Sequence, residues 1–373
     1  MLDLRQVLAA QAGLRGRGEE AVLATVVKTE GSTYRRSGAR LLVARGGGSV
    51  GGVSGGCLEG DLVRKAWWRT EGGPAVVTYD SRADDETAWQ FGLGCNGVVH
   101  VLLERLPPRG DDPLAFVERC LRDGEAGVVA TVFRAAAATG LAVGDRLTLD
   151  ARGGWGGNLA DGDILSELKA DAEACRRHDR GRSVVYVTPA GEAEVAFEVV
   201  RPPVRLVVFG GGFDVPPVVA AAKAVGWETV VVDRRAPRHD AGAGLTLTLP
   251  PALACEQLRP TLRTAAVVMT HHFPDDRDAV AALLGTDVGY VGVLGPRGRT
   301  QKLLADVPHR FGDLDRLHAP VGLDVGADTP EEIAAAVVAQ VIAVFAGRDG
   351  GHLRDRAGPI HRREPAVVAE VVS

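Results

Sequence analysis

The fold of the C-terminal half is decided by one stretch, Val204-Arg205-Leu206-Val207-Val208-Phe209-Gly210-Gly211-Gly212. The segment before the glycines is almost wholly apolar, which is typical of a strand buried in a parallel sheet. Glycines where a strand turns into a helix let the backbone bend sharply and approach a ligand phosphate. Strands and helices alternate from here to Ala346, so the sequence predicts an α/β fold with a Rossmann-type, doubly wound parallel sheet.

The domain order follows from a proline-rich boundary. Arg201-Pro202-Pro203 interrupts the pattern, because proline disfavours the continuation of a helix or strand on either side. Residues 1–202 combine short strands, glycine-rich loops and a few helices, and we expect an N-terminal α+β domain there. Residues 203–347 are expected to form the Rossmann-type domain, and residues 348–373 a tail packed on the outside.

The last helix of the Rossmann-type domain has clear boundary signals. Thr329 is the predicted N-cap, Pro330 occupies the first helical position, and Glu332 completes a capping box. Gly347 is expected to end this helix.

Composition excludes several classes of protein. Hydrophobic residues make up 46% and charged residues 24% of the 373, and the net charge is −5. A negative chain argues against nucleic-acid binding, and no apolar run is long enough to span a membrane. The first residues lack the apolar core of a signal peptide. Five scattered cysteines without a C-x-x-C pair imply neither a disulfide framework nor a cysteine-rich zinc site, so we expect a cytoplasmic protein.

The glycine-rich turn leaves the identity of its ligand open. Asp233 ends the next strand about 20 residues after Gly212, where an acid holds a ribose hydroxyl in dinucleotide-binding folds. Val215, however, stands at the third glycine position of the G-x-G-x-x-G pattern. Asp214, in the first turn of the helix, would cap it well but repel an incoming phosphate. A Rossmann fold without a dinucleotide therefore stays an alternative.

Two more loops follow strands that end at the same edge of the sheet. Thr270-His271-His272 follows one strand, and Gly295-Pro296-Arg297-Gly298-Arg299 follows another. Ligands of open α/β sheets bind outside the carboxyl ends of the strands, and guanidinium groups suit phosphate or carboxylate. The alternatives are a solvated arginine loop and a structural histidine. Arg35 and Arg36, in the loop after the first strand, could meet a ligand anion, and a solvated loop is the alternative. The predicted cofactor-binding residues are Gly210, Gly211, Gly212, Asp233, His271, Gly295, Arg297 and Arg299, with Arg36 from the N-terminal half.

Cys57 and Cys95 both follow glycines at junctions between a loop and an element, unlike the other three cysteines. Cys57 precedes a predicted helix, whose N-terminus would favour the thiolate, and Glu59 could donate or accept a proton. Cys120, Cys175 and Cys255 lie in predicted helices, where inert packing is expected. A serine-type triad is poorly supported, because no G-x-S-x-G occurs and His100 has no identifiable orienting acid.

These segments together resemble the XdhC/CoxI family, the accessory proteins of xanthine dehydrogenase and related molybdenum hydroxylases. The matching stretches are Gly31–Arg40, Gly52–Glu59, Trp89–Gly97, Val208–Gly212, Gly226–Trp227, Val232–Arg235, Met269–His271, Tyr290–Arg297 and Pro320–Ala334. They cover both halves, whereas residues 111–200 contribute little. The S-G-G-C-L-E, G-L-G-C and G-L-D-V-G-A-D-T-P-E-E-I-A blocks are long enough to be specific.

The resemblance implies a chaperone that binds molybdenum cofactor, supports exchange of an oxo for a sulfido ligand, and delivers the cofactor to an apo-hydroxylase. Molybdopterin, or its dinucleotide form, would place its phosphate near the glycine-rich turn and the Arg297–Arg299 loop. Cys57 and Cys95 would act at the metal, since thiolates are soft ligands suited to molybdenum, with Glu59 beside them. The implied partners are an apo molybdenum hydroxylase of the xanthine dehydrogenase type and a cysteine desulfurase, and a homo-oligomer is expected.

Two alternatives stay open. Asp233, with Arg234 and Arg235 behind it, is compatible with an NAD(P)-dependent oxidoreductase. A protein that contacts the hydroxylase without binding a cofactor would also account for the pattern.

Overall fold

The computed structural model describes residues 2–82, 96–110, 112–159, 162, 164–236, 239–309, 312–357, 360 and 367–370. The chain forms two compact units. The first unit comprises Leu2–Pro202 together with Ala357–Ser373, and the Rossmann unit comprises Pro203–Arg356. None of the helices in these described ranges is long and apolar enough to cross a membrane.

The first unit contains two mainly antiparallel sheets. Its strands are β1 (Ala21–Gly31), β2 (Arg40–Ala44), β3 (Ser49–Gly51), β4 (Ala75–Asp80), β5 (Gly97–Leu106), β6 (Gly127–Ala135), β7 (Arg146–Leu149), β8 (Trp155–Gly157), β9 (Arg182–Thr188), β10 (Gly191–Val200) and β17 (Val367–Glu370). Its helices are α1 (Leu2–Gly16), α2 (Glu59–Arg69), α3 (Ala115–Asp123) and α4 (Leu165–Arg177). The five-stranded sheet has the order β3-β2-β1-β5-β4, and the six-stranded sheet has the order β17-β9-β10-β6-β7-β8.

Alternation of side chains along β1 decides what covers each face of the five-stranded sheet. Val22, Ala24 and Val26 pack with α2, whereas Ala21 and Leu23 pack with α1. Further along the α1 face, Val27 packs against the second sheet. Buried ion pairs also join the two sheets, including the guanidinium of Arg40 (6% exposed), whose Nη2 lies 2.6 Å from Oε2 of Glu198.

The Rossmann unit contains a six-stranded sheet whose pairings are all parallel. Its strands are β11 (Arg205–Phe209), β12 (Glu228–Asp233), β13 (Leu245–Thr248), β14 (Thr264–Val268), β15 (Tyr290–Val293) and β16 (Leu317–His318), and its helices are α5 (Val215–Ala224), α6 (Pro251–Leu258), α7 (Phe273–Leu284), α8 (Arg297–Ala305) and α9 (Pro330–Phe345). The order β13-β12-β11-β14-β15-β16 is the doubly wound order, which reverses beside β11. Separate apolar cores fill the two faces, so the predicted fold class is confirmed.

Local predictions for the Rossmann unit agree closely with the structure. The strand predicted over 204–209 extends from Arg205 to Phe209, and Pro330 opens α9. Thr329 and Glu332 form the predicted capping box. One local prediction was wrong: Asp214 stands at the N-cap of α5, but its side chain makes no capping hydrogen bond.

Candidate functional site

A pocket in the first unit, called here the Cys57 pocket, brings together three of the glycine-rich segments. It encloses about 350 Å³, including space open to solvent, and is lined by Ser32, Thr33, Tyr34, Arg35, Val53, Ser54, Cys57, Leu58, Tyr79, Ser81, Gly97 and Val99. The loop after β1, the turn before α2 and the start of β5 thus meet at one place.

Close backbone contacts explain the glycines on one side of the pocket. A side chain at Gly97 would place its Cβ 2.3 Å from the carbonyl oxygen of Ser32, and one at Gly31 would meet that of Asn96 at 2.7 Å. The hydroxyl of Ser81 donates to the carbonyl of Gly97 at 2.7 Å and accepts its N–H at 2.8 Å. The loop after β1 therefore lies directly against the start of β5.

Glu59 holds the loop on the other side of the pocket. Its Oε1 accepts the backbone N–H groups of Val53 at 2.9 Å and Ser54 at 2.8 Å, and its Oε2 accepts the hydroxyl of Ser54. Burial raises the pKa of Glu59, but these hydrogen bonds outweigh burial and lower the pKa below its ordinary value. The carboxylate is therefore ionised at neutral pH and fixes the turn that carries Cys57. The lowered pKa also makes Glu59 a weak proton acceptor.

Cys57 is the accessible thiol among the cysteines that the structure describes. It is half-buried and lines the pocket two residues before α2 begins. Cys120, Cys175 and Cys255 are buried in helices, as predicted, and burial raises the pKa of the Cys120 and Cys255 thiols to about 11. Cys95, the other predicted site cysteine, lies outside the described residues.

The pocket also contains polar and aromatic groups that are not among the predicted cofactor-binding residues. Arg35, rather than the predicted Arg36, lines it, and Arg36 is exposed. The ring of Tyr34 is 69% exposed and lies against Gly55, where an added Cβ would be 3.5 Å away. Tyr79 is fixed from behind, since its hydroxyl donates to the buried carboxylate of Asp61 at 2.9 Å. The sequence signal that could have identified Ser32, Thr33, Tyr34 and Arg35 is their position in Gly31–Arg40, one of the stretches that carry the family resemblance.

The crevice of the Rossmann unit lies where its parallel strands end, and it brings several predicted residues together. Gly210 has a φ of 139° and lies against the carbonyl of Met269, 2.6 Å from the position of an added Cβ. A residue with a side chain would be strained at this φ and would clash. Asp233 ends β12, and its carboxylate accepts the N–H of Arg235 at 2.9 Å.

Asp214 and His271 form a pair beside the glycine-rich turn. Nε2 of His271 lies 2.7 Å from Oδ2 of Asp214, and His271 has a left-handed φ of 59°. The other oxygen, Oδ1, lies 2.6 Å from the place of a Cβ on Gly212. A carboxylate thus occupies the side of the turn that a pyrophosphate approaches in dinucleotide-binding folds.

The two arginines of the loop after β15 differ in their surroundings. Nη1 of Arg299 donates to the carboxylate of Asp276, which is 1% exposed. Oδ1 of the same carboxylate accepts the hydroxyl of Thr270 at 2.5 Å and its N–H at 3.1 Å. Arg297 is exposed and has no hydrogen bond or ion pair within the described part of the chain. Arg299 therefore compensates a buried charge, and Arg297 is the arginine left for a ligand.

Arg234, directly after β12, also forms ion pairs within the protein. Its Nε lies 2.8 Å from Oδ1 of Asp275, and its Nη2 donates to Asp278. A guanidinium held by two carboxylates of α7 has little remaining charge to offer a ribose phosphate. Within the described ranges, no group of three or more His, Cys, Asp or Glu side chains is arranged to hold a metal ion.

Both units are similar to parts of the same family of known proteins. Residues 14–80 match the model of the XdhC and CoxI family, and residues 206–341 match the XdhC Rossmann domain. A probable xanthine dehydrogenase subunit from Bacillus subtilis (strain 168) is 30% identical over 331 residues, which are 87% of this chain and 93% of that protein. The molybdenum cofactor insertion chaperone PaoD of Escherichia coli (strain K12) is 25% identical over 354 residues, or 92% and 89% of the two chains. A crystal structure of a xanthine dehydrogenase from Bacillus halodurans has a TM-score of 0.72 at 31% identity and covers 92% of this chain and 97% of its own.

Proposed function

Because this chain belongs to the XdhC and CoxI family, we propose that it is an accessory protein that binds molybdenum cofactor and delivers it to a molybdenum hydroxylase of the xanthine dehydrogenase type. The relatives that share most of its length carry names from xanthine dehydrogenase and molybdenum cofactor insertion. The observation that supports binding most directly is the accessible thiol of Cys57 in a preformed pocket.

The residues of the Cys57 pocket fit the chemistry of that cofactor. When bound, the cofactor supplies a molybdenum centre held by sulfur on a pterin. A thiolate is a soft ligand that suits such a centre, and hydroxyl groups around it can donate to oxo ligands or to the pterin. Cys57 is the residue that would hold the metal end, while Glu59 keeps the loop of Cys57 in place. Cys95 remains a proposed second ligand.

Support of sulfuration is a finer part of the proposal. It requires a sulfur donor such as a cysteine desulfurase, and the half-buried Cys57 is accessible to such a protein in a way that the buried Cys120, Cys175 and Cys255 are not. A homo-oligomer remains part of the proposal as well.

Cofactor retention tests this function. The protein is produced in a molybdenum-replete host and purified without oxygen, and molybdopterin is then quantified as its fluorescent oxidation product. Cys57→Ala is expected to lose most of the molybdopterin found with the wild type. Cys255→Ala, which removes a buried thiol in the Rossmann unit, is the matched control and should retain it. Equal retention in the two variants would remove the main support for the proposal.

An NAD(P)-dependent oxidoreductase is the second candidate, and Asp233 at the end of β12 favours it. The Asp214 carboxylate beside the glycine-rich turn opposes it. Calorimetric titration of the wild type with NAD⁺ and NADP⁺ separates the two functions, because saturable micromolar binding would support the oxidoreductase. Full activation of a hydroxylase by a triple variant of Cys57, Cys95 and Arg297 would instead support an interaction protein without a cofactor.

A further inference from the structure

Arg35 is the charged residue among the described residues that line the Cys57 pocket. Its side chain is 31% exposed, and its Nη2 donates to Oδ2 of Asp3 at 2.5 Å. Asp3 lies in the first turn of α1 and is 46% exposed. A guanidinium carries five N–H donors, and the described part of the chain provides no second acceptor for this one. Most of its donors are therefore available to a ligand.

Two described carboxylates close to the pocket are already engaged by the protein. Glu59 is taken by the loop of Val53 and Ser54. Asp61, behind the ring of Tyr79, accepts from that tyrosine and lies 2.7 Å from Nζ of Lys65. An anion that entered the pocket would meet Arg35 as its cationic partner, and the described part of the lining contains no carboxylate to repel it.

We infer that Arg35 is the anion-binding residue of the Cys57 pocket, and that the carboxylate of Asp3 occupies its guanidinium until an anionic group of the ligand replaces it. The class of ligand is a molecule with a phosphate, carboxylate or oxo-anion group within reach of a soft centre at Cys57. Guanidinium groups bind such anions through paired N–H donors. The identity of the ligand as molybdenum cofactor rests on the proposed function, whereas the anion site itself rests on the pocket.

The first unit therefore offers an anion site of its own, in addition to the exposed Arg297 at the Rossmann crevice. In the Rossmann crevice, Arg299 compensates a buried carboxylate and Asp214 stands beside the glycine-rich turn. In the first unit, Arg35 shares a lining with the accessible thiol. The charged end and the metal end of the ligand would then both be recognised in the first unit.

Alkylation of Cys57 tests whether the guanidinium of Arg35 makes the pocket attractive to anions. Iodoacetate is anionic and iodoacetamide is neutral, so the ratio of their rates at Cys57, resolved by peptide mass spectrometry, reports the local electrostatic potential. Arg35→Ala is expected to lower this ratio about threefold, the effect of one unit charge at roughly 6 Å in a water-like dielectric. Arg36→Ala, the exposed neighbour outside the lining, is the matched control and should leave the ratio unchanged. Asp3→Asn should raise it, because the competing carboxylate is gone.

The outcomes separate the inference from the proposed function. An unchanged ratio in Arg35→Ala, or an equal fall in Arg36→Ala, would overturn the anion site even if Cys57→Ala still loses molybdopterin. An unchanged or lower ratio in Asp3→Asn would overturn the competing role of Asp3. If the ratio falls as expected but the wild type never carries molybdopterin, the proposed function fails while the anion site stands.

Discussion

Arg299→Ala should destabilise the Rossmann unit far more than Arg297→Ala does. The carboxylate of Asp276 is 1% exposed and is neutralised by Arg299, whose own side chain is 23% exposed. Removing one partner of a buried ion pair costs about 3–5 kcal/mol, because the other charge stays buried. The two hydrogen bonds from Thr270 persist in the variant, so we expect the lower end, about 3 kcal/mol. Arg297 is exposed, and its loss should cost about 0.5 kcal/mol or less.

Hydrogen–deuterium exchange measures this difference within one unit of the protein. A loss of about 3 kcal/mol should speed exchange of the β14 amides about 150-fold when they open by unfolding of the unit. Arg299→Ala combined with Asp276→Asn should recover part of the loss, since a neutral amide can be buried without a cation. If the β14 amides exchange at the same rate in Arg299→Ala and Arg297→Ala, Arg299 does not compensate a buried charge. Arg299 would then again be a candidate for binding a ligand.

Four further outcomes follow from the contacts described. Glu59→Gln should speed exchange of the Val53 and Ser54 loop amides about tenfold at pH 7. Because the fold lowers the pKa of Glu59, the stabilisation by its carboxylate is present above the ordinary pKa of 4.5 and is lost as the pH falls below that value, so the exchange rates of variant and wild type should converge there. A rate difference that does not change with pH would contradict stabilisation by an ionised carboxylate. Burial, with a nearby lysine, lowers the pKa of His100, so the unfolding free energy measured in urea should fall as the pH drops below 6.5. The fall should be less steep in His100→Gln, and the same pH dependence in both proteins would mean that His100 does not cause it. Asp214→Ala should bind ADP-ribose more tightly than the wild type by calorimetry, and weaker binding would mean that the carboxylate does not repel phosphate. Thr329→Ala should lower the unfolding free energy by about 1 kcal/mol, because the N–H of Glu332 loses the threonine hydroxyl that accepts it; an unchanged denaturation midpoint would speak against the capping box.

The Rossmann unit could be predicted from the sequence because its signals are local. Its four inner strands, β12, β11, β14 and β15, are short apolar runs that end in a glycine or polar loop, and α9 carries a complete capping box. The parallel pairing of the strands followed from the alternation of strands and helices along the chain. By contrast, α1 was not predicted, because its apolar residues form only a weak stripe among charges. β17 was not predicted either, since four residues pairing at an edge depend on a distant partner, β9.

The site was predicted less completely, for physical reasons that particular residues illustrate. Cys57 was identified because a thiol between glycines and a helix is an unusual local pattern. Arg35 and Arg36 could not be told apart, since the direction of a loop side chain depends on tertiary contacts such as the one with Asp3. The roles of Asp276 and of Glu30, whose Oε1 lies 3.5 Å from Nε2 of His100, also depend on strands brought together by the fold. Sequence spacing does not contain that information.

The pairing of β17 with β9 has a consequence for synthesis on the ribosome. Because β17 follows the whole Rossmann unit along the chain, the six-stranded sheet of the first unit remains incomplete until that unit has been synthesised. During that interval β9 presents a free edge, which is a template for unwanted pairing between nascent chains. Fusion of a bulky tag directly after Glu370 would act on this closing step, and production with the tag at the opposite end should give more soluble protein.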